Sequence, residues 1–147
     1  MNIHKALVNA RNYIDKHGWV QFELANIDGR VCAGGGIMRG NNLSGVLDSE
    51  YKFEAQIAEA LVRHIPADFD PRKAKYDKKD YAIQYFSDTD WGRMVCWNNE
   101  SGRTKEDILN LFDAAIKETA PDPDVSFLDN ASYVERQREN STLVSTG

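Results

Sequence analysis

Apolar residues recur at steps of three and four in three separate stretches of this chain, and this periodicity constrains the fold more than any other feature. The stretches cover residues 3–16, 48–65 and 104–116. A glycine follows the first of them closely, and a proline follows each of the other two. Because these residue types commonly end helices, we predict three long amphipathic helices that share one core.

The third stretch opens with a helix-start signal. Thr104 precedes it and Asp107 lies three residues further on, in a variant of the capping box that usually has Glu or Gln at this second position. A further short helix is expected after Asp88-Thr89-Asp90, where Thr and Asp can cap the first turn. It would carry Trp91, Met94 and Val95.

Between the first two helices the pattern changes to that of extended chain. Residues 19–24 are rich in apolar side chains, residues 26–29 read Asn-Ile-Asp-Gly, and residues 30–32 read Arg-Val-Cys. Turn residues between two such segments predict a short β-hairpin. The fold class expected from the sequence is therefore α+β: a predominantly α-helical small domain with one short β-hairpin and an extended C-terminal tail.

The length and composition indicate one globular domain. The chain has 147 residues, of which 41% are hydrophobic and 28% charged. Residues 121–124 read Pro-Asp-Pro-Asp, which is typical of a stiff linker. We therefore predict a compact, mainly helical domain over 1–120 and an acidic polar tail over 121–147, in which Phe127, Leu128 and Tyr133 are candidates for docking on a partner.

Charge and residue spacing exclude several classes of protein. The formal net charge of −5 disfavours binding of duplex DNA over the whole surface. The sequence has no apolar run of about 18 residues and no signal-peptide pattern at its start, so we expect a cytoplasmic protein without a membrane partner. Cys32 and Cys96 are widely separated, and the histidines show no zinc-site spacing, so no disulfide, metal or cofactor is predicted.

Two segments carry a resemblance to a known family. They are GWVQFELANIDGRVCAGGGI at 18–37 and CWNNESGRTKEDILNLFDAAI at 96–116. They resemble a family of small uncharacterised proteins from actinobacteria and their bacteriophages. Members look like an N-terminal helix, a Gly-Trp turn, an Asp-Gly loop, a Cys-Ala segment opening a helix, and a Trp-Asn-x-x-x-Gly-Arg-Thr stretch before a final helix. The resemblance covers most of 1–118 and implies no substrate or catalytic residue.

Glycines are concentrated between Ala33 and Gly45, where we expect a loop or a weak helical turn. Gly34 and Gly36 could let backbone amides approach a phosphate group, and Arg39 lies nearby in sequence. The segment matches neither the P-loop nor the full dinucleotide-binding pattern. Binding of a small ligand or nucleotide phosphate by the loop Gly34–Gly40 is therefore our second hypothesis.

A cysteine-dependent enzyme is the third hypothesis. Cys32 lies where an extended segment meets a possible helix start, and oriented backbone N–H groups can stabilise a thiolate there. His64 is the best candidate for the base that such an enzyme needs. A buried, inert cysteine explains the same pattern, so we assign no catalytic residue.

A basic segment between Arg63 and Lys79 has more bases than acids and lies near Tyr76, Tyr81 and Tyr85. Basic residues interleaved with aromatic residues can bind single-stranded nucleic acid. A charged, solvated connection is the commoner meaning of such a segment. Nucleic acid is therefore not the partner that we predict.

The leading hypothesis is binding of a partner protein. Trp97, Asn98 and Arg103 precede the last helix and combine an aromatic ring with polar groups, so we predict a partner-binding surface there, together with the tail. The family context implies an accessory protein of an actinobacterium or phage. Such a protein could modulate a factor of the host cell.

Overall fold

The computed structural model describes residues 2–78 and 88–121. Within these residues there are five helices, namely α1 (Ile3–His17), α2 (Ala33–Gly40), α3 (Asp48–Val62), α4 (Asp90–Asn99) and α5 (Lys105–Thr119). None of them, in the ranges 2–78 and 88–121, combines the length and apolar character needed to cross a membrane. Residues 122–147, and with them the predicted docking residues Phe127, Leu128 and Tyr133, lie outside the described residues.

The long helices predicted from periodicity are confirmed as α1, α3 and α5. At the start of α5 the Thr104 hydroxyl accepts a hydrogen bond from the Asp107 backbone, and the Asp107 carboxylate accepts one from the Thr104 backbone, so the capping box is present. The shorter helix is confirmed as α4, where Thr89 is the N-cap. α3 ends at Val62, three residues before the predicted limit.

The prediction of an α+β fold with a β-hairpin is wrong. The described residues contain no strand or sheet, and their β-type pairings are isolated bridges. Two of these bridges join Trp19 and Ala25 to the same residue, Val31. Residues 18–32 therefore form a folded-back loop in place of two paired strands.

Side-chain hydrogen bonds between the loop and the end of α4 take the place of a partner strand. Phe22 adopts φ = 69°, which interrupts the strand alternation, and its N–H donates to Asn99 Oδ1 at 2.9 Å. Gln21 Nε2 donates to the backbone carbonyls of Asn98 and Glu100 at 3.1 and 3.0 Å. The Asn99 side chain thus pairs with a loop N–H, and the Gln21 side chain joins the loop to the end of α4, where a hairpin would have a regular ladder of backbone hydrogen bonds.

The glycine-rich segment is a helix, α2, and its glycines permit close packing. A Cβ atom on Gly35 would lie 1.8 Å from the Leu24 carbonyl oxygen, and one on Gly36 would lie 2.5 Å from Ile14 Cγ1 in α1. Glycine costs a helix about 1 kcal/mol per position relative to alanine. Here that cost is offset by the close approach of α2 to α1, the helix on which it packs most extensively.

The core lies between α1, α2 and α5 on one side and α3 and α4 on the other. Its largest fully buried apolar side chains include Leu7, Ile14, Ile37, Ile57, Leu61, Met94, Ile108 and Phe112.

α1 and α5 run antiparallel along one side of this core. His4 Nδ1 lies 3.3 Å from Thr119 Oγ1, and further along the pair Arg11 Nε donates to Asp113 Oδ1 at 3.0 Å. At the other end, Lys105 Nζ lies 3.6 Å from Asp15 Oδ1. The start of the first helix therefore lies beside the end of the last.

Candidate functional site

Asn98, predicted as a partner-binding residue, is buried at the junction of three segments. Its Oδ1 accepts hydrogen bonds from Trp19 Nε1 at 2.8 Å and from the Ala33 backbone N–H at 3.0 Å. Its Nδ2 donates to Asn99 Oδ1 at 2.9 Å. Asn98 thus joins α4 to the loop 18–32 and to the first residue of α2.

Trp97 and Arg103, the other two residues predicted to bind a partner, are in contact with each other. The Arg103 guanidinium carbon lies 3.8 Å from the centre of the Trp97 ring, and Arg103 Nε donates to the Trp97 carbonyl at 2.9 Å. Arg103 also pairs with Glu100. The guanidinium is therefore held by contacts within its own chain.

Trp97 and Arg103 line an open polar cleft of about 390 Å³. Its other lining residues are Pro66, Asp68, Phe69, Asp70, Lys73, Ala74 and Glu100. Charges of both signs line the cleft. Across residues 2–78 and 88–121, no three His, Cys, Asp or Glu side chains come together as a metal-binding group.

The residues of the phosphate hypothesis lie along α2 and do not converge on one point. Gly34 and Gly36 are buried, and Arg39 is in the last turn, at the end opposite the free N–H groups of the helix. Two of the first-turn N–H groups already have partners, because the Ala33 N–H donates to Asn98 Oδ1 and the Gly35 N–H to Cys32 Sγ. Packing accounts for these glycines, and phosphate binding remains a prediction from the sequence.

Cys32 and His64, the pair of the enzyme hypothesis, face different cavities. Burial raises the pKa of the Cys32 thiol, against the opposing effect of the Gly35 and Gly34 backbone groups, so the nucleophilic thiolate is disfavoured. His64 Nε2 lies 2.7 Å from Glu118 Oε1 at the end of α5. Cys32 lines a hollow with Trp91 and Val95, whereas His64 lines a different one with Trp97 and Asp107.

Two adjoining hollows, lined largely by apolar side chains, meet at Leu24 and Trp91. The first, here called the Glu54 hollow, measures about 340 Å³ and is lined by Leu24, Met38, Gly45, Tyr51, Glu54, Ala55 and Trp91. The second measures about 310 Å³ and is lined by Phe22, Glu23, Leu24, Cys32, Trp91, Val95 and Asn99. Because α2, α3 and α4 all contribute to the first, it is a concavity built by the fold and not by a single loop.

Large apolar side chains are exposed beside the Glu54 hollow. Leu24, Val46, Leu47 and Tyr51 are between 51% and 72% exposed. Leu24 and Tyr51 line the hollow, while Val46 and Leu47 follow its lining residue Gly45 directly. We call these four residues the apolar face. Several large exposed apolar side chains beside one concavity are typical of a binding site.

Glu54 is the one carboxyl group among the described lining residues of the hollow. Its side chain is on the buried face of α3, only 7% of the residue is exposed, and Oε2 has no hydrogen-bond partner. Burial raises the pKa of the Glu54 carboxyl, and the negative charge of Glu50 raises it further. A buried carboxyl without a partner is costly to the folded state.

Glu50, one turn earlier, shows the opposite arrangement. Its Oε1 accepts hydrogen bonds from the Ser44 N–H and hydroxyl at 3.0 and 2.7 Å and from the Gly45 N–H at 2.9 Å. These hydrogen bonds, chiefly the one from the Ser44 side chain, lower the pKa of Glu50. Glu50 therefore has a role in fixing the turn before α3, whereas the described structure gives Glu54 no such role.

Replacement of Glu54 by Met is expected to stabilise the protein by about 1–2 kcal/mol near pH 7, because it removes an unpaired buried polar group. The folded-state pKa of Glu54 is raised above its unfolded-state value of about 4.3. The penalty for its charge is therefore absent below the unfolded-state value, grows as the pH rises from there to the raised folded-state pKa, and is constant above it. Urea denaturation of both proteins across this pH range measures the difference.

The matched control for this prediction is Glu59→Met, an exposed position on the same helix. It should show no comparable gain in the free energy of unfolding. A Glu54→Met protein less stable than wild type at neutral pH would mean that Glu54 has a favourable partner within the chain.

Sequence reasoning missed both Glu54 and the apolar face. One signal was available for Glu54, which lies three and four residues before the buried Ile57 and Ala58 and so falls on the apolar stripe of α3. A charged residue on such a stripe indicates either a buried ion pair or a functional group. No comparable signal existed for Leu24 or Leu47, because apolar residues in the core and on the surface look alike in sequence.

The family comparison covers all five helices. The family of unknown function DUF6197 matches residues 2–118, which run from the N-cap of α1 to within one residue of the end of α5. No curated protein and no solved structure matches the chain. With about four fifths of its length matched by this family, the chain belongs to the family of unknown function DUF6197.

Proposed function

We propose that the protein acts by binding a partner protein through the apolar face. The observation that carries this proposal is the exposure of Leu24 and Tyr51 in the lining of one hollow, together with that of Val46 and Leu47, which follow its lining residue Gly45 in sequence. Burial of apolar surface contributes roughly 25 cal/mol per Å², so a partner that covers these side chains gains a large part of its affinity from them. In the free protein the same surface is in unfavourable contact with water.

The composition of this surface suits a protein interface. Tyr51 and Trp91 supply the aromatic side chains that most often act as anchors in such interfaces. Asp48 and Glu50 lie close to Tyr51, in the first turn of α3, and Lys52 follows Tyr51. A partner segment with apolar anchors and flanking basic residues would complement the face.

The setting that we propose is the bacterial cytoplasm, with the protein as an accessory factor of an actinobacterium or its phage and a host protein as the partner. Support comes from the resemblance of residues 18–37 and 96–116 to proteins of that range. The net charge of −5 favours a protein partner over nucleic acid.

The test compares proteins captured from an actinobacterial lysate by the wild type and by the double variant Leu47→Asp, Tyr51→Asp, with isotope-based quantitation. Loss of two exposed apolar side chains of the apolar face should lower recovery of the specific partner about tenfold or more, the equivalent of at least about 1.4 kcal/mol. Both positions are exposed, and aspartate is a favourable residue at position 47, the N-cap of α3, so the thermal midpoint should not fall.

Ile27→Asp is the matched control, because Ile27 is fully exposed but does not line the hollow. This variant should capture the partner as the wild type does. Lys73→Glu probes the polar cleft beside Trp97 and Arg103, the surface expected from the sequence. Loss of the partner in Lys73→Glu, with full recovery in the double variant, would overturn the apolar-face proposal.

A further inference from the structure

The Glu54 hollow contains a polar group that apolar docking would leave unsatisfied. Glu54 Oε2 is buried and without a hydrogen-bond partner, in a concavity whose walls are otherwise largely apolar. The charge that acts on it most is that of Glu50, which has the same sign. Within the described residues, therefore, neither a donor nor a cation compensates this carboxyl.

The chemistry of the walls restricts what can complement Glu54. An ammonium group can form a charge-assisted hydrogen bond with a carboxylate such as that of Glu54, which a neutral apolar group cannot do. The rings of Tyr51 and Trp91 attract cations at their faces, and Met38 and Ala55 provide contact for a hydrocarbon stem. An anionic ligand would instead be repelled by Glu54 and Glu50 together.

The size of the hollow favours a small molecule. At about 340 Å³ it lies near the lower end of the range of ligand pockets, and its lining comes from the loop 18–32 and from α2, α3 and α4. A lining drawn from several elements can surround a compact ligand on more than one side. A single flat contact with a macromolecule would not need such a shape.

We propose that the Glu54 hollow is a binding site for a small organic ammonium compound with an apolar body, whose ammonium group pairs with the carboxylate of Glu54. The apolar body lies against Leu24, Met38 and Trp91, and the charged head lies beside Tyr51 and Glu54. This site does not depend on a partner protein, since it is complete within one chain. A bound ligand would also cover part of the apolar face, because Leu24 and Tyr51 belong to both.

The experiment titrates the full chain at neutral pH with 2-phenylethylammonium chloride, and separately with the neutral 2-phenylethanol and the anionic 3-phenylpropionate. Chemical shifts of the Met38 methyl group and the Trp91 indole N–H report on the hollow, with Trp91→Phe used to assign the indole signal. We expect saturable shifts with the ammonium compound, binding of the alcohol that is weaker by a factor of at least about ten, and no binding of the anion.

Glu54→Gln retains the shape of the side chain and removes its charge. It should weaken binding of the ammonium compound about tenfold while leaving that of the alcohol nearly unchanged, and its thermal midpoint should not be lower than that of the wild type. The matched control Glu59→Gln should bind as the wild type does.

Three results would each overturn the proposal. The first is equal binding of the ammonium compound by wild type and Glu54→Gln, and the second is equal binding of alcohol and ammonium. The third is binding of Nα-acetyl-lysine methylamide without binding of 2-phenylethylammonium. This result would show that the hollow takes a lysine side chain of a protein and not a free ligand. The double variant Leu47→Asp, Tyr51→Asp tests the partner proposal by a separate readout.

Discussion

Gly35→Ala is expected to lower the free energy of unfolding by about 3–5 kcal/mol, at or above the usual cost of overpacking a core. The new Cβ atom would lie 1.8 Å from the Leu24 carbonyl oxygen and 2.8 Å from its carbon. These are backbone atoms, and the same carbonyl accepts the Cys32 N–H at 3.3 Å. Relief of the clash therefore requires the loop to move away from α2.

Gly34→Ala is the matched control, because it adds the same methyl group to the same helix one residue earlier. Its Cβ atom would meet the Trp91 ring edge at 2.8 Å, a side-chain contact that can adjust. Alanine also gains about 1 kcal/mol over glycine in helix propensity, so this variant should be much the less affected. Equal stability of the two variants in urea denaturation would show that α2 and the loop are not in close contact.

Asn98→Ala is expected to cost about 3–4 kcal/mol, the second large effect. Removal of the amide leaves the Trp19 indole N–H and the Ala33 N–H without their acceptor, and each buried unpaired group costs about 1–3 kcal/mol. Asn99 Oδ1 loses a donor as well. Denaturation followed by tryptophan fluorescence measures the loss.

Asn110→Ala, at an exposed position on α5, is the control and should change stability by less than about 0.5 kcal/mol. The indole N–H signal of Trp19 gives a second readout, because it should move in Asn98→Ala while the protein is still folded. An Asn98→Ala protein as stable as the wild type would mean that the three segments are held together by other contacts.

The helices that could be predicted from sequence are those whose evidence is local. α1, α3 and α5 each bury one face, and burial at a period of 3.6 residues is visible in any sequence window of that length. The capping box of α5 is likewise contained in four consecutive residues. These elements would be recognised in isolation.

The elements that were wrongly or incompletely predicted depend on distant residues. The loop 18–32 has the composition of a hairpin, but its hydrogen-bond partners Asn98 and Asn99 lie almost 80 residues away in sequence. α2 was expected to be a loop or a weak turn because its glycines disfavour a helix in isolation. In the folded protein, packing on α1 outweighs that propensity.

The candidate site was less accessible to sequence reasoning than the fold. Trp97, Asn98 and Arg103 were recognised as a polar and aromatic group, yet Asn98 and most of Trp97 are buried. Exposure of Leu47 and the lack of a partner at Glu54 are properties of the assembled chain. Neither property has a counterpart in residue type or spacing.

The antiparallel pairing of α1 with α5 has a consequence for how this chain could be rebuilt. Since His4 and Thr119 are in contact, a short flexible linker could join Asn2 to Ala120, and new ends could be made at the fully exposed Ile27. Every contact between helices would survive such a circular permutation. The five described helices contact one another in a cycle, from α1 to α5, α3, α4, α2 and back to α1. We expect a chain that begins at α2 and ends with α1 to form the same cycle of contacts.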